Sequence, residues 1–298
     1  MKVFLTGATG YIGSAVAEAL QIAGHQVTGL ARSEQATQRL QALGFKVVRG
    51  DIHQPLKWVE VLSQVDGVIH LAATKDEKMP HSDRRAVEEM LSALTGTGKP
   101  FIYTSGTWIL GNINSSVNEQ SPLNPIPLMA WRLDIERQVL ATKERQVRSV
   151  VLRPGMVYGR GGGLVAQLVA GGRHNGVVQF VGTGDNHWAL IHVEDLARCY
   201  VKAIEQSPAG MVFNVVDECS LALREIAQAA SQPAGVPGQI QSQSLEVARQ
   251  QIGLLADGLV LDQQISNLHV RQLLDWEPIA PSLLEELKLG SYCQCHPN

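Results

Sequence analysis

Lys2-Val-Phe-Leu-Thr6-Gly7-Ala-Thr9-Gly10-Tyr11-Ile12-Gly13 decides the fold of this chain. An apolar, β-prone run ends at a threonine, three glycines follow at intervals of three, and an Ala-rich helical pattern runs from Ser14 to Gly24. The pattern predicts a strand, a tight turn and a helix. Glycine lets the backbone turn sharply and approach a ligand with no Cβ in the way. The helix start aims free N–H groups and the positive end of its dipole at an anion. Strand before and helix after is the context in which such a turn holds a dinucleotide pyrophosphate. Gly7, Thr9, Gly10, Tyr11, Ile12 and Gly13 are therefore candidate contacts.

Outward from this turn, residues 26–31 read as a second strand and 33–43 as a helix stopped by Gly44, which gives β-α-β-α. An NAD-preferring site carries an acidic residue at the end of the second strand, against the ribose 2′-hydroxyl; this chain has Ala31-Arg32-Ser33. A guanidinium and a hydroxyl there suit a 2′-phosphate, so the expected cofactor is NADP in preference to NAD. A third strand, 45–49, leads into Gly50-Asp51-Ile52 at the carboxyl edge, where Asp51 can meet an adenine amino group. The fourth strand, 67–73, ends in Leu71, Ala72 and Ala73, small enough to let a ribose approach the backbone, and His70 within it reads as a core residue. The polar loop 74–81 overhangs the ligand edge with Lys75, Lys78 and His81. Ser82 is expected to cap a helix through Leu94 with Asp83 in its first turn. A fifth strand, 100–104, runs into Ser105-Gly106-Thr107-Trp108, whose hydroxyls point at the nicotinamide region. After a Pro-rich loop, 121–127, come a helix over 128–140 and a sixth strand over 147–152.

Composition narrows the function classes. With 298 residues, 45% hydrophobic and 18% charged, the chain is that of an ordinary globular protein. A net charge of −3 with the two signs interspersed gives no electrostatic footprint for nucleic acid and no polybasic membrane segment, so small molecules are the expected partners. No apolar run approaches the ~18 residues of a membrane helix. The first strand begins at Lys2, which leaves no room for a signal peptide, and a cytoplasmic protein is expected. Cys293-Gln-Cys295-His296 lacks zinc-ligand spacing, and no metal is expected.

Together these stretches resemble the extended or atypical short-chain dehydrogenases/reductases of the NAD-dependent epimerase/dehydratase type. The resemblance rests on Thr6 to Gly13, Gly50-Asp51, His70 to Ala73, Tyr103-Thr-Ser-Gly-Thr107, Arg153-Pro-Gly-Met-Val-Tyr158-Gly159, Ile191-His-Val-Glu-Asp-Leu196, Gly210-Met-Val-Phe-Asn214 and Leu274-Asp-Trp-Glu-Pro278. It implies an α/β fold, a Rossmann-type doubly wound parallel sheet with a smaller, split C-terminal substrate domain. The nucleotide-binding domain would comprise 1–157 plus about 185–215, and the substrate domain about 158–184 plus 216–298. It also implies Pro154, Gly155 and Val157 as cofactor contacts, and a homodimer through helices 82–95 and 127–145.

The family's catalytic pair is absent. Members use a Tyr and, four residues later, a Lys that lowers the phenol pKa and holds the nicotinamide ribose. With Glu136 as register mark, these positions fall on Leu128 and Arg132. Arg132 can still grip ribose hydroxyls but cannot act as an acid near neutrality. Ser105 and Thr107 flank the position of the family's substrate-orienting hydroxyl, and Tyr158, Thr107 or His192 are the candidates for supplying the proton. Three readings follow. The chain is an NADP-dependent oxidoreductase with a non-standard proton donor, or an inactive NADP(H)-binding redox sensor, or an assembly subunit stabilised by nucleotide. Trp108 and Trp131 beside the cleft favour a flat or apolar carbonyl substrate over a nucleotide sugar, unless Arg153, Arg160 and Arg173 gather there. A nucleotide-sugar epimerase/dehydratase is therefore the further alternative. Residues 159–163 read as a mobile, Gly-rich loop, and Ser220 as the N-cap of a helix running to Ala230.

Overall fold

Alternation along the first strand sets up two faces. The computed structural model describes residues 1–74, 76–113, 116–217 and 219–293. In β1 (Lys2–Thr6), Val3 and Leu5 point into one hydrophobic core and Phe4 into another, as a strand covered on both sides requires. The chain continues through α1 (Tyr11–Ile22), β2 (Gln26–Ala31), α2 (Glu34–Ala42), β3 (Lys46–Arg49), β4 (Gly67–His70), α3 (Met79–Leu94), β5 (Pro100–Thr104), α4 (Arg132–Ala141) and β6 (Arg148–Pro154). Then follow β7 (Met156–Tyr158), α5 (Gly163–Asn175), β8 (Val178–Val181), β9 (His187–His192), α6 (Val193–Gln206), β10 (Met211–Val215), β11 (Ser220–Ala222) and α7 (Leu223–Ala230). The last elements are β12 (Ile240–Gln243), α8 (Leu245–Ile252), α9 (Leu255–Leu259), α10 (Leu268–Leu274) and α11 (Leu283–Leu289).

The central sheet has seven strands in the order β10-β6-β5-β4-β1-β2-β3, and all its pairings are parallel. It is the doubly wound α/β sheet expected. The chain leaves β1 toward β2 and β3 on one side and returns to β4 on the other, so the crevice where the order reverses opens between β1 and β4 at their carboxyl ends. One core packs α1 and α6 on the sheet, and the other packs α3 and α4 on its opposite face. A third core gathers side chains of α5, β8, β9, α7 and α11. Two small sheets, β11-β9-β7 and β12-β8, lie beside it.

Three expected helix starts move. α3 begins at Met79 with Pro80 in its first turn, so Ser82 lies inside the helix instead of capping it; proline is pre-organised for a first turn and lacks only an N–H that has no partner there. α4 begins at Arg132, four residues later than expected, because the Trp131 indole N–H takes the Leu128 carbonyl at 3.0 Å and the preceding residues close i to i+3 turns. Ser220 does not cap α7. It pairs with Ala189 in β11, and the helix start is tied by Glu225, whose carboxylate accepts the Ala222 N–H at 3.2 Å. Lys75, Cys295 and His296 lie outside the described residues; among the described residues no group of His, Cys, Asp and Glu is arranged to hold a metal. No helix of the described residues is long and apolar enough to cross a membrane.

Candidate active site

The Gly-rich turn puts β1 and α1 in direct contact. Gly7 has φ +76°, and a Cβ there would stand 2.8 Å from the Ala72 nitrogen; at Gly13 it would stand 2.0 Å from the Gly7 oxygen. No side chain among the described residues caps α1, whose N-cap is Gly10, so its first N–H groups are free for an anion. A glycine cradle at an uncapped helix start fits a dinucleotide pyrophosphate.

From this turn a cavity of about 550 Å³ runs along the carboxyl edge of the sheet. Gly7, Thr9, Gly10, Tyr11, Ile12, Gly13, Leu71, Ala72, Ala73, Arg132, Pro154, Gly155 and Val157 line it, together with Ser105 and Thr107. Arg32, Ser33, Asp51 and Ile52 lie outside that wall, beyond the ends of β2 and β3. Arg32 is exposed there, and Ser33 Oγ accepts the Ala36 N–H at 3.2 Å as the cap of α2. Asp51 accepts the His53 N–H at 3.0 Å.

At the other end the wall becomes apolar, with Trp108, Met129 and Met156. Trp108 rests on α9, where a Cβ at Gly258 would come within 2.4 Å of its ring. The turn carrying Thr107 is held from behind by Gln263, whose buried amide donates to the carbonyls of Thr107 and Gly111 at 2.9 and 3.0 Å. Neither Gly258 nor Gln263 carries a motif that sequence reading could have found.

Ser105 is buried, and its Oγ has no hydrogen-bond partner among the described residues. Arg132 Nη1 donates to the Tyr103 hydroxyl at 3.1 Å and to the Thr104 carbonyl at 2.9 Å, and its guanidinium lies 4.5 Å from the Trp131 ring centre. One helical turn on, Glu136 takes Arg153 Nε and Nη2 in a buried pair, at 2.6 Å for the shortest contact, which fastens α4 to β6.

The structure does not bring Tyr158 to this cavity. Its side chain is buried, its hydroxyl lies 3.1 Å from the Asp217 carboxylate and 3.0 Å from the Pro281 carbonyl, and burial with the Asp217 charge pushes its pKa far up. Its one hydrogen is committed to those acceptors. His192 also sits elsewhere, as the cap of α6 with Nδ1 accepting the Glu194 N–H, edge-on to Tyr158. Of the three arginines, Arg153 is held by Glu136, Arg160 by Glu18 and Glu194, and Arg173 by the carbonyls of Pro233 and Tyr292. Nor does loop 159–163 hang free: Gly159 N–H donates to Tyr292 Oη at 2.8 Å, Tyr292 donates to the Gly162 carbonyl at 2.9 Å, and Tyr11 donates to the Gly159 carbonyl at 2.7 Å.

A family model of the NAD dependent epimerase/dehydratase family matches residues 3–215. An uncharacterized protein of Saccharomyces cerevisiae is 34% identical over 300 residues, covering 97% of this chain and 98% of its own. A 2-alkyl-3-oxoalkanoate reductase of Stenotrophomonas maltophilia is 24% identical, over 80% of this chain and 77% of its own. The solved structure of a UDP-glucose 4-epimerase from Thermotoga maritima superposes with a TM-score of 0.81 at 21% identity, covering 98% of both chains. Glycine cradle, sheet order and these likenesses agree, and the chain belongs to the NAD-dependent epimerase/dehydratase family.

Proposed function

We propose that the protein is an NADP(H)-dependent oxidoreductase acting on a small, flat or apolar carbonyl compound, with a proton donor other than the family tyrosine. The observation that carries this reading is Ser105 Oγ, a buried hydroxyl without a partner among the described residues, in the wall of a cavity that continues from the glycine cradle. An unpaired buried hydroxyl costs free energy unless a ligand satisfies it.

The free N–H groups at the start of α1 would hold the pyrophosphate, and Arg32 at the end of β2 would pair with a 2′-phosphate. Arg132, in the wall of the same cavity, would hold the nicotinamide ribose. When bound, the nicotinamide supplies the hydride. Ser105 Oγ–H then donates to the carbonyl oxygen as charge builds on it, a preorganised interaction stronger in the transition state than in the ground state. Trp108, Met129 and Met156 exclude water from the apolar part of the substrate. The proton reaches the product oxygen from solvent, relayed by Ser105 or Thr107, since Arg132 does not deprotonate and Tyr158 is engaged elsewhere. General acid catalysis contributes ~10²–10⁴-fold, so turnover is slow by family standards without being abolished. A sugar diphosphate is disfavoured because none of Arg153, Arg160 and Arg173 lines the cavity, and Arg160 and Arg173 are held by other partners.

The test is fluorescence titration with NADPH and NADH, followed by NADPH consumption over a panel of aldehydes, ketones and enones. Turnover of any class supports the reading. Tight binding without turnover would instead support the redox-responsive binding protein, which the pairing of an intact cradle with Leu128 and Arg132 also suits.

A further inference from the structure

Behind the cavity wall, buried polar groups form a continuous series across the sheet. Thr6 Oγ1 accepts the N–H groups of Leu71 and Ala72, each at 3.1 Å. That uses both its lone pairs, so its own hydrogen goes to His70 Nδ1 at 2.7 Å. His70 therefore carries its proton on Nε2, which faces Asp83 Oδ1 at 3.0 Å. Asp83 Oδ2 accepts the Tyr103 hydroxyl at 2.7 Å. The Tyr103 oxygen is then left to accept from Arg132 Nη1 at 3.1 Å.

Thr6, His70, Asp83 and Tyr103 are each at most 2% exposed. Burying four polar side chains is costly where apolar ones would pack as well, yet here every hydrogen has an acceptor and the direction is fixed at both ends. The two ends are the two walls of the cavity, the Leu71–Ala72 lip and Arg132. With the Thr104 carbonyl as second acceptor, both hydrogens of Arg132 Nη1 are used, which fixes the plane of the guanidinium. Its Nε and Nη2 have no hydrogen-bond partner among the described residues.

We propose that Asp83 and Tyr103 are positioning residues that hold the Arg132 guanidinium in the one orientation in which its free edge meets the nicotinamide ribose. This rests on the nucleotide-binding reading above. Because Arg132 is tied to the end of β5, with β4 and β1 between it and the end of β2 where the adenosine half is expected, the series should act on whole dinucleotides and leave the adenosine half alone.

The experiment is a fluorescence titration of parent, Tyr103→Phe, Arg132→Ala and the double variant with NADPH, alongside calorimetric titration of the fragment 2′,5′-ADP. Tyr103→Phe is expected to weaken NADPH binding about tenfold, the size of one hydrogen bond to a charged group. The double variant should bind as Arg132→Ala does, since Tyr103 acts through that residue, and 2′,5′-ADP affinity should not change. Asp83→Asn is the second variant. Its amide turns the Tyr103 hydrogen toward the guanidinium, and it should reproduce the loss. If Tyr103→Phe binds NADPH as the parent does, if the two effects multiply, or if 2′,5′-ADP binding falls equally, the inference is wrong while the nucleotide reading stands. If the parent binds neither NADPH nor NADH, both fall.

Discussion

Ser105 and Arg32 test the site at the scale of single residues, because each has one hydrogen-bonding task in the reading above. Ser105→Ala removes the hydroxyl that meets the substrate oxygen and leaves the cradle untouched. We expect kcat to fall about 10²-fold with NADPH affinity unchanged; steady-state kinetics beside a binding titration checks it, and an unchanged kcat would move the role to Thr107. Arg32→Ala should reduce the NADPH over NADH preference by about tenfold or more, the worth of one charge-assisted contact. An unaltered preference in paired titrations would remove Arg32 from the 2′-phosphate site. The lining of the cavity was legible at this scale because glycine, alanine and hydroxyl residues at strand ends state their purpose in one dimension. Asp83 was not read as part of the site, since a carboxylate just after Ser82 looks like a first-turn residue. The signal was nevertheless present: Asp83 falls on the same helix face as Ala86, Val87 and Met90, and that face is buried. A carboxylate on an apolar stripe has to find partners, and here they are His70 and Tyr103.

Among elements, the parallel strands were legible as apolar runs bounded by turns, and the helix starts were less so. Pro80 and the Trp131 indole shifted two of them through local hydrogen bonding that periodicity does not record. The pairing of β12 with β8 was hidden for another reason, since Ile240–Gln243 has a polar, Gln-rich sequence and finds its partner about sixty residues away through backbone bonds, with Gln179 donating to Gln241 and Ser242 to the Gly182 carbonyl. Loop 159–163 shows the same limit: glycines suggest mobility, and Tyr292, a residue distant in sequence, removes it. Burial, with the Glu286 charge, pushes the Tyr292 phenol up to about 12, so it stays a donor at neutral pH. Tyr292→Phe orphans the buried Gly159 N–H and the Gly162 carbonyl. It should cost about 1–3 kcal/mol in denaturant unfolding and weaken NADPH binding, because Tyr11 reaches the same loop from the cradle. A variant as stable as its parent would show that the clamp does not hold the loop.

At the scale of the whole molecule, the buried series Thr6, His70, Asp83, Tyr103 and Arg132 joins β1, β4, α3, β5 and α4, so its charge state bears on global stability. Burial alone would raise the Asp83 carboxyl, but His70, through its hydrogen bond and its field, the Arg132 charge and the hydrogen bond from Tyr103 together outweigh it and hold the pKa below the ordinary value. A carboxylate with a depressed folded pKa contributes stability that is complete above its unfolded pKa, near 3.9, and is lost as pH falls through the folded one. The opposite edge is set by the Cys199 thiol and by Tyr11, Tyr103, Tyr158, Tyr200 and Tyr292, which burial keeps protonated; the thiol's contribution is complete below about pH 8.5 and the phenols' below about pH 10, and each is lost above. Unfolding by urea at a series of pH values should therefore show a plateau with two shoulders. Below about pH 4 the parent should lose stability more steeply than Asp83→Asn, by up to about 1.4 kcal/mol per pH unit for one proton. The exposed Glu285, which Ser282 also holds low, is common to both chains and cancels in the comparison. Equal acid slopes would mean that Asp83 takes up its proton no later in the fold than in the unfolded chain. The buried series would then hold a neutral acid in place of the carboxylate that accepts from both His70 and Tyr103.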